Sequence, residues 1–389
     1  MRDLKFDVVI IGGGAAGLFC AIEAGRRGRK VLVIERNAHV GRKIIISGGG
    51  RCNFTNASTT HENFVSKNPH FCKSALARYT PSDFIALVKK HRIEFYEKKL
   101  GQLFCRESSR AIVDMLLKEC ERSRVKLMTG HSVDRVERVD HFHLETTAGN
   151  IRCDSLVIAT GGLSFAKVGA TDFGYKIAKQ FGLKIEPTRP SLVPLVFEGS
   201  DSSRSLAGIS VDSIVSTSGH SFREQILFTH RGLSGPAILQ ISNYWRRDEP
   251  ASIDLLPLTP VSDLLHSVKT GRKLVSNLLS MHLPEKIVAT ILPSDLARKT
   301  VEQLTEPDIE RIQTRFNSWS VKFKDTEGYD KAEVTAGGVS TDELSSQSME
   351  ARRVSGLFFV GEVVDVTGWL GGYNFQWAWS SGHAAGQVV

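Results

Sequence analysis

The apolar and polar positions at the start of the chain follow first a strand pattern and then a helix pattern. The apolar run Val8–Ile11 predicts a buried strand. Small residues then repeat every four positions at Gly17, Ala21 and Gly25, which predicts a helix face pressed against a sheet. The apolar run Val31–Ile34 predicts a second strand. This strand–helix–strand order is typical of a parallel α/β sheet.

The same patterns predict the later elements of the chain. In chain order they are helices at about 72–92 and 108–122, a hairpin-like region around 125–153, a strand ending at Ala159, strand-like segments at 192–198, 208–216 and 221–228, leucine-rich amphipathic segments at about 261–283 and 285–304, a strand at 354–360 and a C-terminal helix. Several prolines punctuate the stretch from about Ser191 to Tyr329. We interpret that stretch as an insert, with a β part and a helical part, that interrupts the first domain.

The turn between the first strand and the first helix carries a dinucleotide-binding fingerprint. Gly12 is suited to the tight turn, Gly14 to close backbone approach by a pyrophosphate, and Gly17 to close contact of the helix with the sheet. The helix N-terminus supplies positive potential for the phosphates. The second strand ends in Glu35, which is placed to accept hydrogen bonds from an adenosine ribose.

The order of elements selects FAD from among the dinucleotides. The fingerprint lies at the extreme N-terminus, a middle strand ends in Ala159-Thr160-Gly161, and a late strand ends in Gly361-Glu362. This order matches flavoproteins of the two-dinucleotide-domain kind, in which one FAD spans all three segments. The fold class is therefore predicted as α/β, a Rossmann-type FAD-binding domain interrupted by inserts. No second fingerprint for NAD(P)H follows a strand, so we expect a nicotinamide to bind only transiently.

Length and cysteine usage bound the class of protein. At 389 residues the chain is long enough for two or three domains. No apolar run is long enough to span a bilayer, and the N-terminus lacks the features of a signal peptide, so we expect a cytoplasmic protein without a membrane partner. The six cysteines are scattered, with no CxxC pair and no spacing typical of a metal site. We expect a reduced compartment, no metal and no dithiol redox centre.

The net charge of +8 raises the question of a nucleic-acid partner. The basic clusters are short, and they lie at Arg26-Arg27, Arg29-Lys30, Lys89–Arg92 and Lys98-Lys99. We interpret them as a solvated basic face, which can also steer anionic ligands. No nucleic-acid partner is expected on this interpretation.

Four ordered motifs connect the chain to a known family. They are Gly41-Arg42-Lys43 with Ser47-Gly-Gly-Gly-Arg51-Cys52-Asn53-Phe-Thr55-Asn56, Phe228-Thr-His230-Arg-Gly-Leu-Ser234-Gly-Pro236, Glu333-Val-Thr335-Ala-Gly337-Gly338-Val, and Gly371-Gly-Tyr373-Asn374-Phe-Gln376. With these motifs the whole chain resembles the BaiN/YhiN-like family of bacterial NAD(P)/FAD-dependent oxidoreductases, which includes aminoacetone oxidase-like members. The chain stops at Val389, soon after the last motif, so we expect a shortened C-terminal helix.

The resemblance implies a molecule in three parts. An FAD-binding domain is expected from residues 1–192 and 331–389, a β-rich insert from 193–256 and 316–330, and a small helical insert from 257–315. The residues expected to bind FAD, from the fingerprint and from the motifs together, are Gly12, Gly14, Ala15, Ala16, Gly17, Glu35, Arg36, Arg42, Lys43, Ser47, Gly49, Gly50, Arg51, Cys52, Asn53, Ala159, Thr160, Gly161, Gly361, Glu362, Gly371, Gly372, Tyr373 and Asn374.

Several of these residues have an alternative interpretation. A helix N-terminus after Gly371 and Gly372 would stabilise the negative charge of a reduced flavin, although glycines also serve as plain helix entries. Arg51 and Asn53 are suited to the pyrophosphate or the flavin edge. Cys52 is expected to be a packed thiol rather than a redox partner, because no resolving cysteine lies near it.

The catalytic residue is left open by the sequence, with three candidates. His230 lies in a Gly/Ser-rich turn and is a candidate acid or base, or a turn residue that only forms hydrogen bonds. Tyr373 belongs to the flavin-facing turn or to helix packing. Lys43 lies near the flavin or covers apolar surface.

The function expected from these features is that of an FAD-dependent oxidoreductase. FAD would be bound non-covalently and would pass a hydride, and the inserts would select the substrate. The preferred form is an NAD(P)H-linked reductase of a small organic molecule, and the alternative is an amine oxidase that uses O2. A nucleic-acid-linked flavoprotein, such as an RNA-modifying enzyme, is the more distant alternative.

Overall fold

A computed structural model describes residues 4–199, 205–268 and 272–389. The chain divides into two compact units. Unit 1 combines Met1–Pro190 with Glu333–Val389, and unit 2 is Ser191–Ala332. Unit 1 thus draws on both ends of the chain, and the subdivision of unit 2 into a β-rich and a helical insert domain stays a prediction.

The strands and helices have the following bounds. The strands are β1 Leu4–Ile11, β2 Val31–Glu35, β3 Asn53–Asn56, β4 Phe64–Val65, β5 Phe95–Glu97, β6 Gln102–Cys105, β7 Lys126–Thr129, β8 Val133–Arg138, β9 Phe142–Thr146, β10 Gly149–Ile158, β11 Ile185–Ser191, β12 Leu195–Phe197, β13 Ser210–Thr217, β14 His220–Phe228, β15 Gly232–Ser234, β16 Ala251–Asp254, β17 Trp319–Val321, β18 Phe323–Thr326, β19 Val334–Val339, β20 Leu357–Phe359 and β21 Thr367–Gly368. The α-helices are α1 Ala15–Arg26, α2 Arg42–Ile46, α3 Lys73–Arg78, α4 Pro81–Lys90, α5 Arg110–Arg122, α6 Phe173–Gln180, α7 Pro236–Ile241, α8 Val261–Ser267, α9 Val275–Leu279, α10 Glu285–Ile291, α11 Ser294–Ala297, α12 Glu306–Asn317 and α13 Tyr373–Gly386.

The main sheet of unit 1 is parallel over the order β7-β2-β1-β10-β20. The antiparallel strands β9 and β8 extend it beside the first half of β10. Val8–Ile10 on β1 and Leu156–Ile158 on β10 are fully buried, as a parallel sheet covered on both faces requires. The predicted α/β Rossmann fold is confirmed by this order.

The last helix, α13, packs closely on the first helix, α1. Their contact is made by small residues, because a Cβ added at Gly382 would lie only 2.6 Å from the carbonyl oxygen of Ala16. The indole nitrogen of Trp377 on α13 donates to the carbonyl of Gly361 at 3.0 Å. The two ends of the chain are therefore joined in one core beside the main sheet.

A second layer of unit 1 is built on the small antiparallel sheet β3-β6-β5. The Trp379 ring stacks on Phe84 with centroids 4.3 Å apart, and its indole nitrogen donates to the Phe54 carbonyl at 2.8 Å. Phe95 on the edge strand meets Phe54 edge-on at 5.6 Å. This aromatic cluster holds the small sheet against α13 and α4.

The helix predicted over about 72–92 is interrupted, and α3 and α4 are separated by Tyr79 and Thr80. Pro81 begins α4 because proline is tolerated in a first turn but not in a helix interior. Thr80 caps α4: its backbone amide donates to the Asp83 carboxylate at 2.7 Å, and its hydroxyl accepts from the Asp83 amide.

Unit 2 contains a sheet of order β17-β16-β13-β14-β15-β12-β18. Its long hairpin β13–β14 alternates buried and exposed residues. Helices α8–α12 lie between β16 and β17 in the chain. The segments predicted as helices at 261–283 and 285–304 form several short helices, because Pro284 and Pro293 precede new helix starts. Residues 269–271 of the first segment lie outside the described residues.

Among the described residues, no helix combines the length and the apolar character needed to cross a membrane.

Candidate functional site

The carboxyl ends of the parallel strands in unit 1 meet at one edge of the main sheet. Ile11 pairs with Ile34 on β2 and with Ile158 on β10, and Ile158 pairs with Phe359 on β20. The residues that follow these strand ends therefore lie side by side. They are Gly12, Glu35, Ala159 and Val360-Gly361. Ligands of open α/β sheets bind at this edge.

The three fingerprint glycines occupy different environments. A Cβ at Gly12 would collide with the carbonyl oxygen of Ala159, and one at Gly17 would collide with the carbonyl oxygen of Gly12. A Cβ at Gly14 would meet no other atom within 4 Å. Gly12 and Gly17 are therefore required by the fold itself. Gly14 faces open space, where a ligand can approach the backbone.

The N-terminus of α1 has backbone amides available for an anion. Within the described part of the chain, the amides of Ala15, Ala16 and Gly17 have no acceptor. The hydroxyl of Thr160, after β10, is also buried without a partner among the described residues. Buried polar groups of this kind are normally satisfied, so their position at the sheet edge fits a polar ligand.

Glu35 is fixed at the end of β2 by three hydrogen bonds. Its carboxylate accepts from the Gly13 amide at 2.8 Å and from the amide and side chain of Asn37 at 2.8 and 2.6 Å. Arg42 donates to the Asn37 side chain at 2.7 Å, which extends the arrangement to α2. An ionised carboxylate has about four acceptor positions, so Glu35 retains capacity for a ligand hydroxyl.

A second helix N-terminus, that of α13, lies against the small sheet. Gly371 and Gly372 have φ angles of 120° and 99°, which only glycine adopts easily, and a Cβ at Gly372 would collide with the Thr55 carbonyl. With its amide nitrogen toward the Thr55 and Leu103 carbonyls, Asn53 accepts from the Gly372 amide at 3.2 Å. Within the described residues, the next amides, those of Tyr373–Phe375, have no acceptor.

Two of the predicted ligands, Lys43 and Glu362, contact each other. The Lys43 ammonium donates to Glu362 Oε2 at 2.7 Å and to Ser164 Oγ at 2.8 Å. The other oxygen of Glu362 accepts from the Thr335 amide at 2.8 Å. Lys43 therefore carries a fixed positive charge at this edge, and it does not merely cover apolar surface.

The sequence did not identify Ser164 and Thr335 as site residues. The Thr335 hydroxyl accepts from the amides of Leu163 and Ser164 at 2.8 and 3.2 Å, and it thereby fixes the turn after β10. Thr335 belongs to a recognised motif, which was the available signal for it. A serine in a turn gives no such signal, because serine is common in turns for other reasons.

The residues of the loop between α2 and β3 differ in their exposure to solvent. Gly49 is exposed, and Arg51 is exposed with its guanidinium donating to the Tyr96 hydroxyl at 3.2 Å. Cys52 is fully buried beside Phe54, and burial raises the pKa of its thiol above the ordinary value. The thiol is therefore protonated and packed, as expected for a structural cysteine.

The remaining predicted residues differ in their availability to a ligand. Asn374 is occupied within its own turn, where it accepts from the Gly368 amide at 2.8 Å. Tyr373 is buried next to Phe64 and Trp369, and burial raises the pKa of its hydroxyl. Arg36 is exposed. His230 belongs to unit 2, where it is exposed in the tight turn between β14 and β15.

The residues present in unit 1 fit a flavin adenine dinucleotide. Open space over Gly14, two helix N-termini with available amides and an acidic strand end are the features that bind its phosphates and ribose. The negative charge of a reduced flavin is stabilised by a helix N-terminus and by a nearby cation such as Lys43. A fold and a site of this kind define an FAD-dependent oxidoreductase of the Rossmann class.

Comparison with known proteins gives the family. The chain belongs to the HI0933-like protein Rossmann domain family, whose model matches residues 6–388. It is 50% identical over 390 residues to a ribosomal RNA dihydrouridine synthase of Escherichia coli, with 98% of each chain covered. It is 46% identical over 386 residues to a protein of the same name in Haemophilus influenzae, with 97% of this chain and 96% of that one covered.

A solved structure supports the fold at lower identity. The 3-ketosteroid-delta4-(5alpha)-dehydrogenase of Rhodococcus jostii RHA1 aligns with a TM-score of 0.52 at 16% identity, over 100% of this chain and 97% of that one. The protein is an FAD-binding enzyme of the oxidoreductase class, as predicted from the sequence.

The expectation that nucleic acid is not a partner is wrong. Two relatives at 50% and 46% identity, both covered almost completely, are named ribosomal RNA dihydrouridine synthases. The error came from treating the short basic clusters as a solvated face. Net charge alone describes the field around a protein and does not show which residues the fold brings together.

Proposed function

We propose that this protein is a flavin-dependent dihydrouridine synthase that acts on ribosomal RNA with electrons from NAD(P)H. The observation that carries the proposal is the 50% identity over nearly the whole length to a relative of that name. The flavin site of unit 1 and the net charge of +8 support it. A positive protein is drawn to RNA phosphates whatever the sequence of the RNA.

The reaction is a two-electron reduction of a base. Dihydrouridine carries two more hydrogens than uridine, one on C5 and one on C6, so a hydride and a proton are added across that bond. FAD, when bound, supplies the hydride, and NAD(P)H restores the electrons. The protein must bind both partners, exclude water and hold a proton near C5 of the base.

The residues proposed to hold FAD come from both ends of the chain. The amides of Ala15–Gly17 would bind the pyrophosphate, and Glu35 would bind the adenosine ribose. The amides at the start of α13 would face the edge of the flavin that becomes negative on reduction. Lys43, fixed by Glu362, would add a positive charge to the same region.

Two groups are candidates for the proton donor. The Lys43 ammonium is fixed by Glu362 and Ser164, and the Tyr373 hydroxyl has its pKa raised by burial. An ammonium and a phenol are both hydrogen-bond donors, so we propose that one of the two supplies the proton to C5. The variants Lys43→Met and Tyr373→Phe distinguish the two candidates. The flavin of the variant that lacks the proton donor should still be reduced by NAD(P)H, but it should transfer electrons to RNA slowly.

The function is tested by the content of dihydrouridine in ribosomal RNA. Nucleosides from purified ribosomal RNA are quantified by mass spectrometry in cells with and without the gene. We expect the deletion to lower dihydrouridine in ribosomal RNA, wild-type protein to restore it, and Gly14→Val to leave it low. Dihydrouridine in transfer RNA is the control and stays constant. An unchanged content in ribosomal RNA would contradict the proposal.

The electron donor is tested by anaerobic mixing of the oxidised protein with NADH or NADPH, with flavin absorbance as the readout. Because the sequence shows no second nucleotide fingerprint, we expect reduction to be slow or to need high concentrations of the nicotinamide. Ribosomal RNA lacking the modification should then reoxidise the flavin faster than O2 does. Tight and rapid reduction at low concentration would instead indicate a dedicated nicotinamide site.

A further inference from the structure

One face of the small sheet β3-β6-β5 carries a row of side chains that leads away from the Gly371-Gly372 turn. Asn53 lies opposite Phe104, and Phe104 lies opposite Tyr96. Residues directly opposite each other on antiparallel strands share a face. Asn53 contacts the Gly372 amide at one end of this row, and Tyr96 lies on the edge strand at the other end.

The opposite face of the same sheet is buried. Phe54 and Phe95 meet there, and Leu103 and Cys105 lie in the same core. Because side chains alternate along a strand, Tyr96 and Phe104 point away from that core. Phe104 is 8% exposed, and Tyr96 is half-buried. Tyr96 therefore presents the accessible ring of this row on the outside of unit 1, and the largely buried Phe104 stacks against it.

Two cationic side chains contact the rings of this row. The Tyr96 ring stacks on Phe104 with centroids 5.9 Å apart and planes at 24°. The Lys98 ammonium lies 5.7 Å from the centre of the Phe104 ring, and the Arg51 guanidinium donates to the Tyr96 hydroxyl at 3.2 Å. Glu97, the acid next in sequence to Tyr96, alternates to the other side of the strand, and its carboxylate accepts from the Gly101 amide at 3.0 Å.

We propose that the surface formed by Tyr96, its stacking partner Phe104 and the adjoining cations Arg51 and Lys98 binds single-stranded ribosomal RNA beside the base that is reduced. The proposal rests on the proposed function and adds the surface that receives the RNA. A base stacks on an exposed aromatic ring, and lysine or arginine beside the ring binds the adjoining phosphate. This surface combines an accessible aromatic ring with adjoining cations. It lies next to the Gly371-Gly372 turn, which is proposed to face the flavin.

The reaction itself requires such a surface. A uracil stacked inside an RNA helix does not expose its C5–C6 bond to a second ring, so the target nucleotide has to leave the stack. Sequence-specific RNA recognition mostly uses unstacked nucleotides held on aromatic side chains. A stacking platform near the flavin would hold the neighbouring nucleotide while the target base enters the site.

The surface is tested by RNA binding to the FAD-loaded protein. Fluorescence anisotropy of a short fluorescein-labelled, uridine-rich single-stranded RNA gives the Kd of wild type, Tyr96→Ala, Tyr96→Phe and Lys98→Ala. We expect Tyr96→Ala to raise the Kd by about 5-fold to 100-fold, the range of a lost base–aromatic stack. Tyr96→Phe keeps the ring and should stay within about 3-fold of wild type.

The salt dependence of RNA binding gives a second test of the surface. Lys98→Ala should lower the slope of log Kd against log salt by about 1, because one phosphate contact is lost. Lys176→Ala is the matched control, since Lys176 is an exposed lysine on α6 in the same unit, and it should leave the slope unchanged. FAD content per chain and the melting temperature verify that each variant is folded.

Photo-crosslinking makes the test independent of any folding defect in the variants. Wild-type protein is irradiated with RNA that contains 4-thiouridine, and the crosslinked peptide is mapped. Crosslinks on β5 or β6, with the expected Kd changes, support the proposal. A Kd of Tyr96→Ala equal to that of wild type, with crosslinks only elsewhere, overturns it.

The failure of this inference is distinguishable from failure of the proposed function. If Tyr96→Ala restores dihydrouridine in ribosomal RNA to the wild-type level and binds RNA equally well, the surface is wrong and the function stands. If deletion of the gene leaves dihydrouridine in ribosomal RNA unchanged, the proposed function is wrong, and this inference fails with it.

Discussion

The Lys43 ammonium and the Glu362 carboxylate lie 2.7 Å apart and join helix α2 to the turn after β20. Glu362 is largely buried, with 17% of its side chain exposed. Its other oxygen, Oε1, accepts from the Ser164 hydroxyl at 3.1 Å and from the Thr335 amide at 2.8 Å. The pair therefore connects α2, the turn after β10, β19 and the turn after β20 at the carboxyl edge of the main sheet.

We expect Lys43→Met to destabilise the protein by about 1–3 kcal/mol, because it leaves a largely buried carboxylate without its cation. Urea unfolding of the FAD-free protein measures this change. The control is Lys176→Met on α6, which breaks an exposed pair with Asp172 just before that helix and should change stability by less than about 1 kcal/mol. Equal effects of the two variants would show that the Lys43 pair is no stronger than a surface pair.

The glycines of the first turn should separate folding from cofactor binding. A side chain at Gly14 enters open space, so Gly14→Val should leave the FAD-free protein folded and abolish retention of FAD. A Cβ at Gly17 collides with the carbonyl of Gly12, so Gly17→Ala should lower stability by about 1–3 kcal/mol. Absorbance gives FAD per chain, and urea unfolding gives stability. Full FAD occupancy in Gly14→Val would show that no ligand approaches this residue.

The first turn could be predicted from the sequence because its determinants are local. The fingerprint consists of a strand, spaced glycines and the acidic end of the next strand, all within a few dozen residues. Such a pattern can be recognised without knowledge of contacts between distant parts of the chain. The break before Pro81 was not predicted, although a proline within a helical pattern is a local signal for it.

The rest of the site depends on contacts between distant parts of the chain. Lys43 and Glu362 are 319 residues apart, and Ser164 lies in a turn with no distinguishing pattern. The surface proposed to bind RNA was not predicted for a similar reason. Arg51 and Lys98 belong to separate short segments, and only the β3-β6-β5 sheet brings them to the same aromatic face.

Glu35 is expected to contribute to affinity for FAD without controlling the fold of the whole unit. Glu35→Ala removes the acceptor of the Gly13 and Asn37 amides and a proposed partner of the ribose. We expect the Kd for FAD to rise by a factor that corresponds to about 1–3 kcal/mol. Titration of the FAD-free protein with FAD, followed by flavin fluorescence, measures it. Asp140→Ala removes an exposed carboxylate in a loop and should leave the Kd unchanged.

The loss of stability at low pH should depend on Glu119, a buried carboxylate on α5. Burial acts to raise the pKa of Glu119, but hydrogen bonds from His91, Arg26 and Arg122 outweigh it and lower the pKa from 4.5 to about 2. His91 and Arg122 both lie 2.7 Å from the carboxylate. A pKa lower in the folded state than in the unfolded state favours folding wherever the carboxylate is ionised.

The contribution of Glu119 is therefore fully present above about pH 4.5 and is lost as the pH falls toward 2. We expect Glu119→Gln to lower the free energy of unfolding by up to about 3 kcal/mol at pH 7, with a smaller difference from wild type as the pH falls through that range. Urea unfolding of both proteins across the pH range measures the difference, in which titrating groups without contact to Glu119 cancel. Glu121→Gln, an exposed neighbour on the same helix, should change stability by less than about 0.5 kcal/mol. If the difference in unfolding free energy between Glu119→Gln and wild type stays constant from pH 7 to low pH, the lowered pKa of Glu119 is contradicted. A purely steric effect of the substitution would not change with pH.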